Sequence, residues 1–375
     1  MKNYLSTSDS IRYIILAPNA FKGSLSAMDF CQILTKTFQT SPFYTIQLPM
    51  FDGGDGTASV ISFYLKAAPH TFVAEDALNR PHKITYYSKG DTAIFDLADV
   101  CGLKFLKPEE YDILNANTRG LGKVLLHLVE EGYKSIILGL GGSASVDGGL
   151  GALEAMGAEF TKTSHQYRNP LIELEDFNAE LLKERLADTE LLILCDVKNV
   201  LCGPEGAAHV FAPQKGANAQ QVELLENKMV QYAELLKNKT GIDPQRIDGT
   251  GAAGGVAAAF RTVLHASLIS GADYSLLISN FHHLLPGAFC VITGEGKLDN
   301  QSLCGKLPGQ IAALCHKCSK PVYAISGLAE QPLPDFTEVC TLANYAPDLQ
   351  ESIAHPKVYL RHAAKELKKN IAKSI

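Results

Sequence analysis

Five acidic residues of this chain stand just after apolar runs, in short segments rich in small residues. They are Asp52, Asp55, Asp196, Glu295 and Asp299. The first two share the segment FDGGDGT, and the last two flank a lysine in TGEGKLDNQSLCGK. Carboxylate oxygens are the hard ligands that suit magnesium, and a carboxylate held at the end of a strand can accept a proton from a substrate hydroxyl. These segments therefore indicate metal-assisted chemistry on a phosphate.

Three further segments are rich in small residues, and two of them carry a lysine. Lys22 and Ser24 lie in PNAFKGSLS, Lys215 lies in VFAPQKGA, and GLGGSASVDGG occupies residues 139–149. Backbone amides at strand ends and helix starts point toward a ligand, and the helix dipole favours negative charge there. We therefore expect phosphate or another small anion to bind at these segments.

The start of the segment 139–149 permits a second interpretation. GLGGSA matches the dinucleotide-binding pattern G-x-G-x-x-A, and Glu159 follows Gly139 by 20 residues, where an acidic residue would contact a ribose. The same loop also suits phosphate oxygens, so both interpretations stay open at this point. The chain has no GxxxxGK[ST] phosphate loop and no G-x-S-x-G nucleophile elbow, and CHKC at 315–318 is expected to lie in a helix without a redox role.

Alternating strand and helix signals at both chain ends predict the elements that position these segments. Near the amino terminus the predicted strands are 12–17 and 44–50, and the predicted helices are 24–38 and 57–66. Near the carboxyl terminus the predicted strands are 289–293, 322–326 and 339–342, and the predicted helices are 306–317 and 355–375. Five strands with crossover helices would form one doubly wound parallel α/β sheet. We therefore predict a discontinuous domain of residues 1–68 and 285–375, with residues 69–284 inserted as a second α/β domain.

The inserted segment has strand and helix signals of its own. The predicted strands are 92–96, 135–139 and 191–196, and the predicted helices are 118–131, 150–156 and 220–239. The glycine-rich segment GTGAAGGVAAAF at 249–260 is explained by close helix packing as readily as by ligand binding.

The composition excludes several classes of protein. The 375 residues include 34 Lys and Arg against 40 Asp and Glu, a formal net charge of −6, so we expect no attraction to nucleic acid or to an anionic membrane. Nine cysteines, an odd number, indicate reduced thiols in a cytoplasmic protein and not a disulfide framework. No apolar run reaches the ~18 residues of a membrane span, and the apolar run near the start is too short for a signal peptide.

The chain resembles the bacterial glycerate kinases in six segments that occur in the family's order. The segments are APNAFKGSLSA, PMFDGGDGT, GLGGSASVDGGLGALEAMGAEF, CDVKNVLCGPEGAAHVFAPQKGA, GAAGGVAAAF and VITGEGKLDNQSLCGK. The resemblance implies a flavodoxin-like domain built from both chain ends, with a second α/β domain inserted. It also implies ATP- and magnesium-dependent phosphorylation of D-glycerate at its 2-hydroxyl, giving 2-phosphoglycerate and ADP.

On this resemblance we assign expected roles to the residues that contact glycerate. Asp196 is the expected base near the 2-hydroxyl, and Asp299 is the second candidate. The glycerate carboxylate is expected to contact Lys22, which we count among the catalytic residues, together with Ser24 and Arg119.

The resemblance also implies ligands for the two cofactors, ATP and Mg²⁺. The expected magnesium ligands are Asp52, Asp55 and Glu295. The residues expected to bind the ATP phosphates are Gly141, Gly142, Ser143, Ser145 and Lys215.

Two other functions remain open from the sequence. An NAD(P)-dependent dehydrogenase of a small hydroxy acid would need Glu159 at the tip of the strand adjacent to GLGGSA. A non-enzymatic small-anion binding protein would bind glycerate without releasing ADP from ATP. In each case we expect a cytoplasmic monomer or homodimer with no nucleic-acid partner and no membrane partner.

Overall fold

The computed structural model describes residues 12–299, 306–330 and 332–373. Its chain divides into two compact units. The first, here called the terminal unit, comprises Met1–Phe51 and Ser275–Ile375; the second, the central unit, comprises Asp52–Tyr274. The units therefore meet in the chain at residues 51/52 and 274/275, whereas the sequence suggested 68/69 and 284/285.

Strands and helices alternate along most of the chain. The strands are β1 Tyr13–Pro18, β2 Tyr44–Gln47, β3 Ala68–Glu75, β4 Pro81–Lys89, β5 Thr92–Asp96, β6 Ser135–Gly139, β7 Glu159–Lys162, β8 Leu174–Asn178, β9 Glu190–Leu194, β10 Ser267–Ile269, β11 Cys290–Leu298, β12 Val322–Ala329 and β13 Glu338–Thr341.

The α-helices occupy most of the connections between these strands. They are α1 Ala27–Phe38, α2 Thr57–Leu65, α3 Leu97–Cys101, α4 Arg119–Glu130, α5 Leu150–Met156, α6 Glu180–Arg185, α7 Ala207–Phe211, α8 Ala219–Thr240, α9 Ala252–Thr262, α10 Gly271–Ile278, α11 Phe281–Leu284, α12 Leu307–Lys317, α13 Leu349–Ala354 and α14 Pro356–Lys373.

The terminal unit contains a five-stranded sheet in which every pairing is parallel. Its strand order is β13–β12–β11–β1–β2. Numbered within this unit alone, the order is 2-1-3-4-5, which is the order of flavodoxin-like folds. The prediction of a parallel α/β sheet built from both chain ends is therefore confirmed.

Local sequence explains why these elements form where they do. β1 is buried at every position after Tyr13, as expected of a strand covered on both faces. Ser26 caps α1 by accepting a hydrogen bond from the backbone of Asp29, and a proline lies in the first turn of α12. The apolar stripe of α14 packs into the same core as α1, which leaves its charged face outward.

The central unit contains a six-stranded sheet of order β10–β9–β6–β5–β4–β3. The four strands from β10 to β5 are parallel, while β4 and β3 are antiparallel additions. The sequence predicted β5, β6 and β9 but missed the hairpin of β3 and β4. Both hairpin strands contain polar and exposed residues, so neither resembles the continuous apolar run of a buried parallel strand.

Helix α2 belongs to the central unit, which explains the shift of the boundary from residue 68 to 51. The buried Asp96 at the end of β5 accepts hydrogen bonds from the backbone amides of Gly56 (3.0 Å) and Ala58 (3.0 Å) at the start of α2. α2 has no side-chain cap of its own, because Gly56 occupies the cap position. Asp96 therefore supplies a remote cap for this helix. Burial raises the pKa of the Asp96 carboxyl well above its usual range, with a smaller contribution from Asp99.

Two details of the fold concern membrane insertion and the state of the cysteines. None of the helices in the described ranges is long and apolar enough to cross a membrane. The cysteines of those ranges are free thiols, and CHKC lies at the end of α12, where Cys315 is buried and Cys318 is exposed.

We predict that Asp96→Ala lowers the free energy of unfolding by about 1–3 kcal/mol, because two amides at the start of α2 lose their side-chain acceptor in a buried site. Chemical denaturation measures the change. Asp188→Ala is the control: Asp188 is exposed and pairs with Lys134 at 3.6 Å, so its removal should change stability by less than about 0.5 kcal/mol. Equal effects of the two variants would contradict the capping role.

Candidate active site

The parallel strands of the central sheet end at a common edge, and the candidate residues of this unit lie there. β5 ends at Asp96, β6 at Gly139, β9 at Leu194 and β10 at Ile269. Ligands of open α/β sheets bind at the carboxyl ends of such strands. The segments singled out from the sequence follow β6 and β9, and a loop at residues 52–57 packs against both.

Backbone contact between loops accounts for the glycines of FDGGDGT. Gly53 has a φ of +87°, and a Cβ there would lie 2.3 Å from the carbonyl oxygen of Leu194. The carbonyl of Gly53 accepts a hydrogen bond from the amide of Gly141 (3.0 Å). The sequence suggested that these glycines let a ligand approach. In the structure Gly53 lets the loop pack on the end of β9, two residues before Asp196.

Asp196 is half-buried and held at the start of α10. Its Oδ1 accepts hydrogen bonds from the Ser270 hydroxyl (2.9 Å) and from the backbone amide of Ala272 (3.2 Å). Desolvation, followed by the negative charge of Asp52, raises the pKa of Asp196 to about 6. Asp196 is therefore a positioned carboxylate whose proton affinity suits exchange near neutral pH.

Ser270 is a positioning residue that the sequence analysis missed. Besides donating to Asp196, its hydroxyl accepts the backbone amide of Asp273 (3.1 Å), so it also caps α10. The signal was present as S-G-A-D before the apolar run SLLIS, which matches the S-x-x-D pattern of a helix start. It was overlooked because β10, which precedes it, has only three residues.

The two predicted magnesium ligands of the central unit have different surroundings. Asp52 Oδ1 accepts the amide of Gly54 (2.9 Å), and its charge acts on Asp196. Asp55 instead pairs with Lys104 (2.5 Å), which also pairs with Asp99 (2.6 Å). Within the described residues no group of three or more His, Cys, Asp or Glu side chains is placed to hold a metal ion. The Asp52–Asp196 pair still fits magnesium, which in kinases takes one or two carboxylates and completes its shell with phosphates and waters.

The loop at 140–149 directs most of its polar side chains inward. Lys215 is buried, and its ammonium donates to the Ser143 hydroxyl (2.8 Å) and to the Ser145 carbonyl (2.6 Å). The Ser145 hydroxyl is fully buried and donates to Asp147 (3.2 Å). In this arrangement the side chains predicted to bind ATP phosphates stabilise the loop from below. The exposed part of the loop is Gly142, next to the half-buried Gly141.

Asp147 fixes this loop to the start of α4. Its buried carboxylate accepts the Thr118 amide (2.7 Å) and hydroxyl (2.7 Å), and the amides of Gly149 (3.3 Å) and Gly151 (3.2 Å). Burial raises its pKa, while these donors act in the opposite direction. Arg119, the first residue of α4, is therefore placed beside the loop, where it also approaches Glu75 at 3.4 Å.

The segment GTGAAGGVAAAF supports the same loop, as the packing interpretation expected. Gly254 has a φ of +70°, and a Cβ there would lie 2.3 Å from the Ser145 carbonyl oxygen. Its own carbonyl accepts the amide of Gly148 (3.0 Å). Only a residue without a side chain fits this contact.

The structure argues against the dinucleotide interpretation of GLGGSA. Glu159 is exposed and begins β7, which pairs with β8 in a separate two-stranded sheet. The neighbours of β6 in the main sheet are β5 and β9. Glu159 therefore does not lie at the tip of an adjacent strand, where a ribose contact would require it.

A second group of candidates lies in the terminal unit, at the carboxyl ends of the adjacent strands β1 and β11. Lys22 is exposed, and the Ser24 hydroxyl donates to the Phe21 carbonyl (3.2 Å). A Cβ at Gly296 would lie 3.6 Å from the Lys22 backbone nitrogen, so the loop after β1 lies against the segment that carries Glu295. In a 2-1-3-4-5 sheet this pair of strands forms the topological switch point, where ligands bind.

Asp299, the second candidate base, also lies at this edge of the terminal unit. The exposed Lys297 contacts Asp299 at 3.2 Å and Glu330 at 2.7 Å. Residues 300–305, the rest of the motif TGEGKLDNQSLCGK, lie outside the described residues.

Comparison with known proteins identifies what this chain is similar to. The glycerate kinase family profile matches residues 14–372. The chain is 34% identical to a glycerate 2-kinase from Escherichia coli K12 over 322 residues, which cover 84% of each protein. It is 30% identical to a glycerate kinase from Bacillus subtilis over 372 residues, covering 96% of this chain and 97% of that one. A crystal structure of glycerate kinase 2 from Salmonella typhimurium LT2 superposes with a TM-score of 0.79 at 29% identity, covering 97% of this chain and 99% of that chain.

We predict that Asp52→Asn lowers the pKa of Asp196 from about 6, because it removes a nearby negative charge that opposes ionisation. Burial remains, so the value should stay above the usual ~3.9. Carboxyl ¹³C NMR titration, assigned with Asp196→Asn, measures the shift. Asp55→Asn is the matched control: Asp55 lies in the same loop but pairs with Lys104, so the Asp196 titration should not move. An unchanged titration in a folded Asp52→Asn variant would contradict the interaction.

Proposed function

This chain belongs to the glycerate kinase family, and on that premise we propose that it transfers the γ-phosphoryl group of ATP to the 2-hydroxyl of D-glycerate. The products are 2-phosphoglycerate and ADP. The observation that carries the proposal is Asp196, a half-buried carboxylate at the end of β9 with a raised pKa and a second carboxylate, Asp52, beside it.

Asp196 acts as the base in this proposal. The substrate hydroxyl oxygen forms a bond to the γ-phosphorus, the bond from that phosphorus to the β–γ bridging oxygen breaks, and the hydroxyl proton passes to Asp196. A carboxyl with a pKa of about 6 is mostly ionised at neutral pH and still holds a proton more readily than an ordinary aspartate. Ser270 and the Ala272 amide fix its orientation.

The surroundings of the two candidate bases favour Asp196 over Asp299. Asp299 is engaged in an ion pair with the exposed Lys297 at 3.2 Å. Asp196 is bonded to neutral donors and faces a like charge, and both its burial and that charge strengthen its hold on a proton.

Magnesium, when bound, supplies positive charge that neutralises the phosphate oxygens during transfer. We assign Asp52 as its protein ligand in the central unit and regard Asp55 as the weaker candidate, because Lys104 already neutralises it. Glu295 remains a candidate at the edge of the terminal unit. A cation at Asp52 would cancel the charge that helps to raise the pKa of Asp196, so added Mg²⁺ should lower that pKa in the NMR titration as well.

The phosphate groups are proposed to bind at the tip of the loop 140–149. Gly141 and Gly142 are its accessible residues, and the ammonium of Lys215 places a positive charge directly beneath the loop. Ser143 and Ser145 contribute to this site by holding the loop, and they reach a phosphate only if their side chains reorient.

The glycerate carboxylate is assigned to a cation and a hydroxyl. Lys22 is exposed beside Ser24 at the β1–β11 switch point of the terminal unit, which is the arrangement that small anions favour. Arg119, in the central unit, is half-buried and has Glu75 as its partner at 3.4 Å.

One assay separates this proposal from its rivals. The protein is mixed with D-glycerate, ATP and Mg²⁺, ADP release is followed, and the product is offered to enolase, which accepts 2-phosphoglycerate but not 3-phosphoglycerate. ADP release with immediate enolase turnover supports the proposal. Glycerate binding without ADP release indicates a binding protein, and reduction of NAD(P)⁺ by glycerate indicates a dehydrogenase.

We predict that Asp196→Asn lowers kcat by roughly 10²- to 10⁴-fold, because the amide cannot accept the hydroxyl proton. The KM for ATP should change little, since the phosphate loop is untouched. Asp273→Asn is the control, because Asp273 is an exposed aspartate on the same helix, α10. Near-normal turnover by Asp196→Asn would contradict the assignment of Asp196 as the base.

We also predict a loss of activity at acid pH. Because the pKa of Asp196 is raised to about 6, the carboxylate is lost as the pH falls through that value, and kcat/KM for glycerate should then drop about tenfold per pH unit. Steady-state kinetics between pH 4.5 and 8 measure this limb, at fixed Mg²⁺ and with protein stability checked at each pH. Bound Mg²⁺ should move this limb to lower pH, and a profile that stays flat down to pH 4.5 would be inconsistent with Asp196 as the base.

A further inference from the structure

A groove between α1 and α14, within the terminal unit, is lined from both helices by basic residues. Its volume is about 740 Å³, which lies in the ~300–1,000 Å³ range of small-molecule sites. The basic lining residues are Lys36, Lys357, Arg361, Lys365, Lys368 and Lys369. Asp29 is the one acidic residue among its described lining residues. We call this feature the basic groove.

The two helices run parallel, and contacts at both ends hold the basic groove in shape. At one end Lys357 pairs with Asp29 (2.9 Å). At the other end the Lys368 ammonium donates to the Thr37 carbonyl (3.0 Å) and to the Thr40 hydroxyl (2.5 Å). Two of the six cations are therefore used to join the helices.

The other four cations face solvent. Lys36, Arg361, Lys365 and Lys369 are exposed, and none of them forms an ion pair with another described residue. Lys36 approaches from α1 and the other three from α14, so the cations line both walls of the groove.

The charge pattern of α14 differs from that of an ordinary solvated helix face. Lys357, Arg361, Lys365 and Lys369 recur at intervals of four, where like charges repel and destabilise a helix. A solvated face usually mixes charge signs, as α8 does with three glutamates and three lysines. The helix dipole favours cations in the last turn of α14, but Arg361 and Lys365 lie in its middle. These cations are also concentrated on one helix of a chain whose formal net charge is −6.

We propose that the basic groove binds a small polyanion that carries at least two phosphate groups. An arginine and three lysines offer charge-assisted hydrogen bonds to several phosphate oxygens at once, at a spacing of about 6 Å along the helix. No aromatic side chain is among the described lining residues, so the site offers no platform for base stacking and favours phosphate groups over a single-stranded nucleic acid. Inorganic polyphosphate and the phosphate tail of a nucleotide share this chemistry, and separate arms of the test distinguish them.

The test is calorimetric titration of the full-length protein with tripolyphosphate in 150 mM salt, followed by ATP and by pyrophosphate as separate arms. The test variant is Arg361→Gln with Lys365→Gln, which removes two mid-helix cations and should leave stability unchanged or slightly raised, because like-charge repulsion is relieved. The control is Lys317→Gln with Lys320→Gln in the same unit, which changes the net charge equally and lies outside the groove.

We expect saturable binding of tripolyphosphate that weakens at least about tenfold in the test variant and is unchanged in the control, because the test variant removes two of the four solvent-facing cations of the groove. The ATP and pyrophosphate arms then show whether the nucleoside adds affinity. Binding that the test variant leaves intact would place the anion elsewhere, for example at the loop 140–149, and would overturn the proposal. Absence of saturable binding of all three polyanions would overturn it too.

Discussion

The buried carboxylate of Asp147 is the contact on which the loop 140–149 depends. It accepts hydrogen bonds from Thr118 at the start of α4 and from two amides at the start of α5. A carboxylate in such a site is costly unless several donors satisfy it, so the donors and the acceptor must stay together. The ammonium of Lys215 donates to the Ser143 hydroxyl and to the Ser145 carbonyl, and Gly254 leaves space for the loop to pack. The interior of the loop is therefore hydrogen-bonded throughout, and its exposed tip lies on this bonded base.

Contacts between loops also position the carboxylate that follows β9. Gly53 packs on the Leu194 carbonyl, and the backbone after β9 then places Asp196 against Ser270 and the start of α10. Asp196 is thus held by hydrogen bonds from Ser270 and Ala272, while Gly53 packs on the backbone two residues before it. Its raised pKa follows from that setting, because the site is partly desolvated and Asp52 lies near it. This setting is the basis on which we propose Asp196 as the base.

Much of the fold could be predicted because parallel α/β structure leaves a strong local signature. β5, β6 and α5 have the bounds that the sequence indicated, since each is a short apolar run between turn residues. The hairpin of β3 and β4 was missed because exposed strands lack that signature. The first unit ends at residue 51 and not at the suggested residue 68, because α2 depends on a hydrogen bond to Asp96, 38 residues away. The glycines at 53 and 254 lie at close backbone contacts, where a Cβ would not fit.

The sequence by itself determined the fold class, the order of the chemical segments and the family to which they belong. Only the tertiary structure decided what individual side chains do. Asp55 pairs with Lys104, 49 residues away, and Lys215 bonds to Ser143, 72 residues away. Residue type and spacing along the chain cannot distinguish a serine that faces a phosphate from one that holds a loop. That distinction depends on which distant groups the fold brings within hydrogen-bond distance, and burial then sets which charges are neutralised inside the protein.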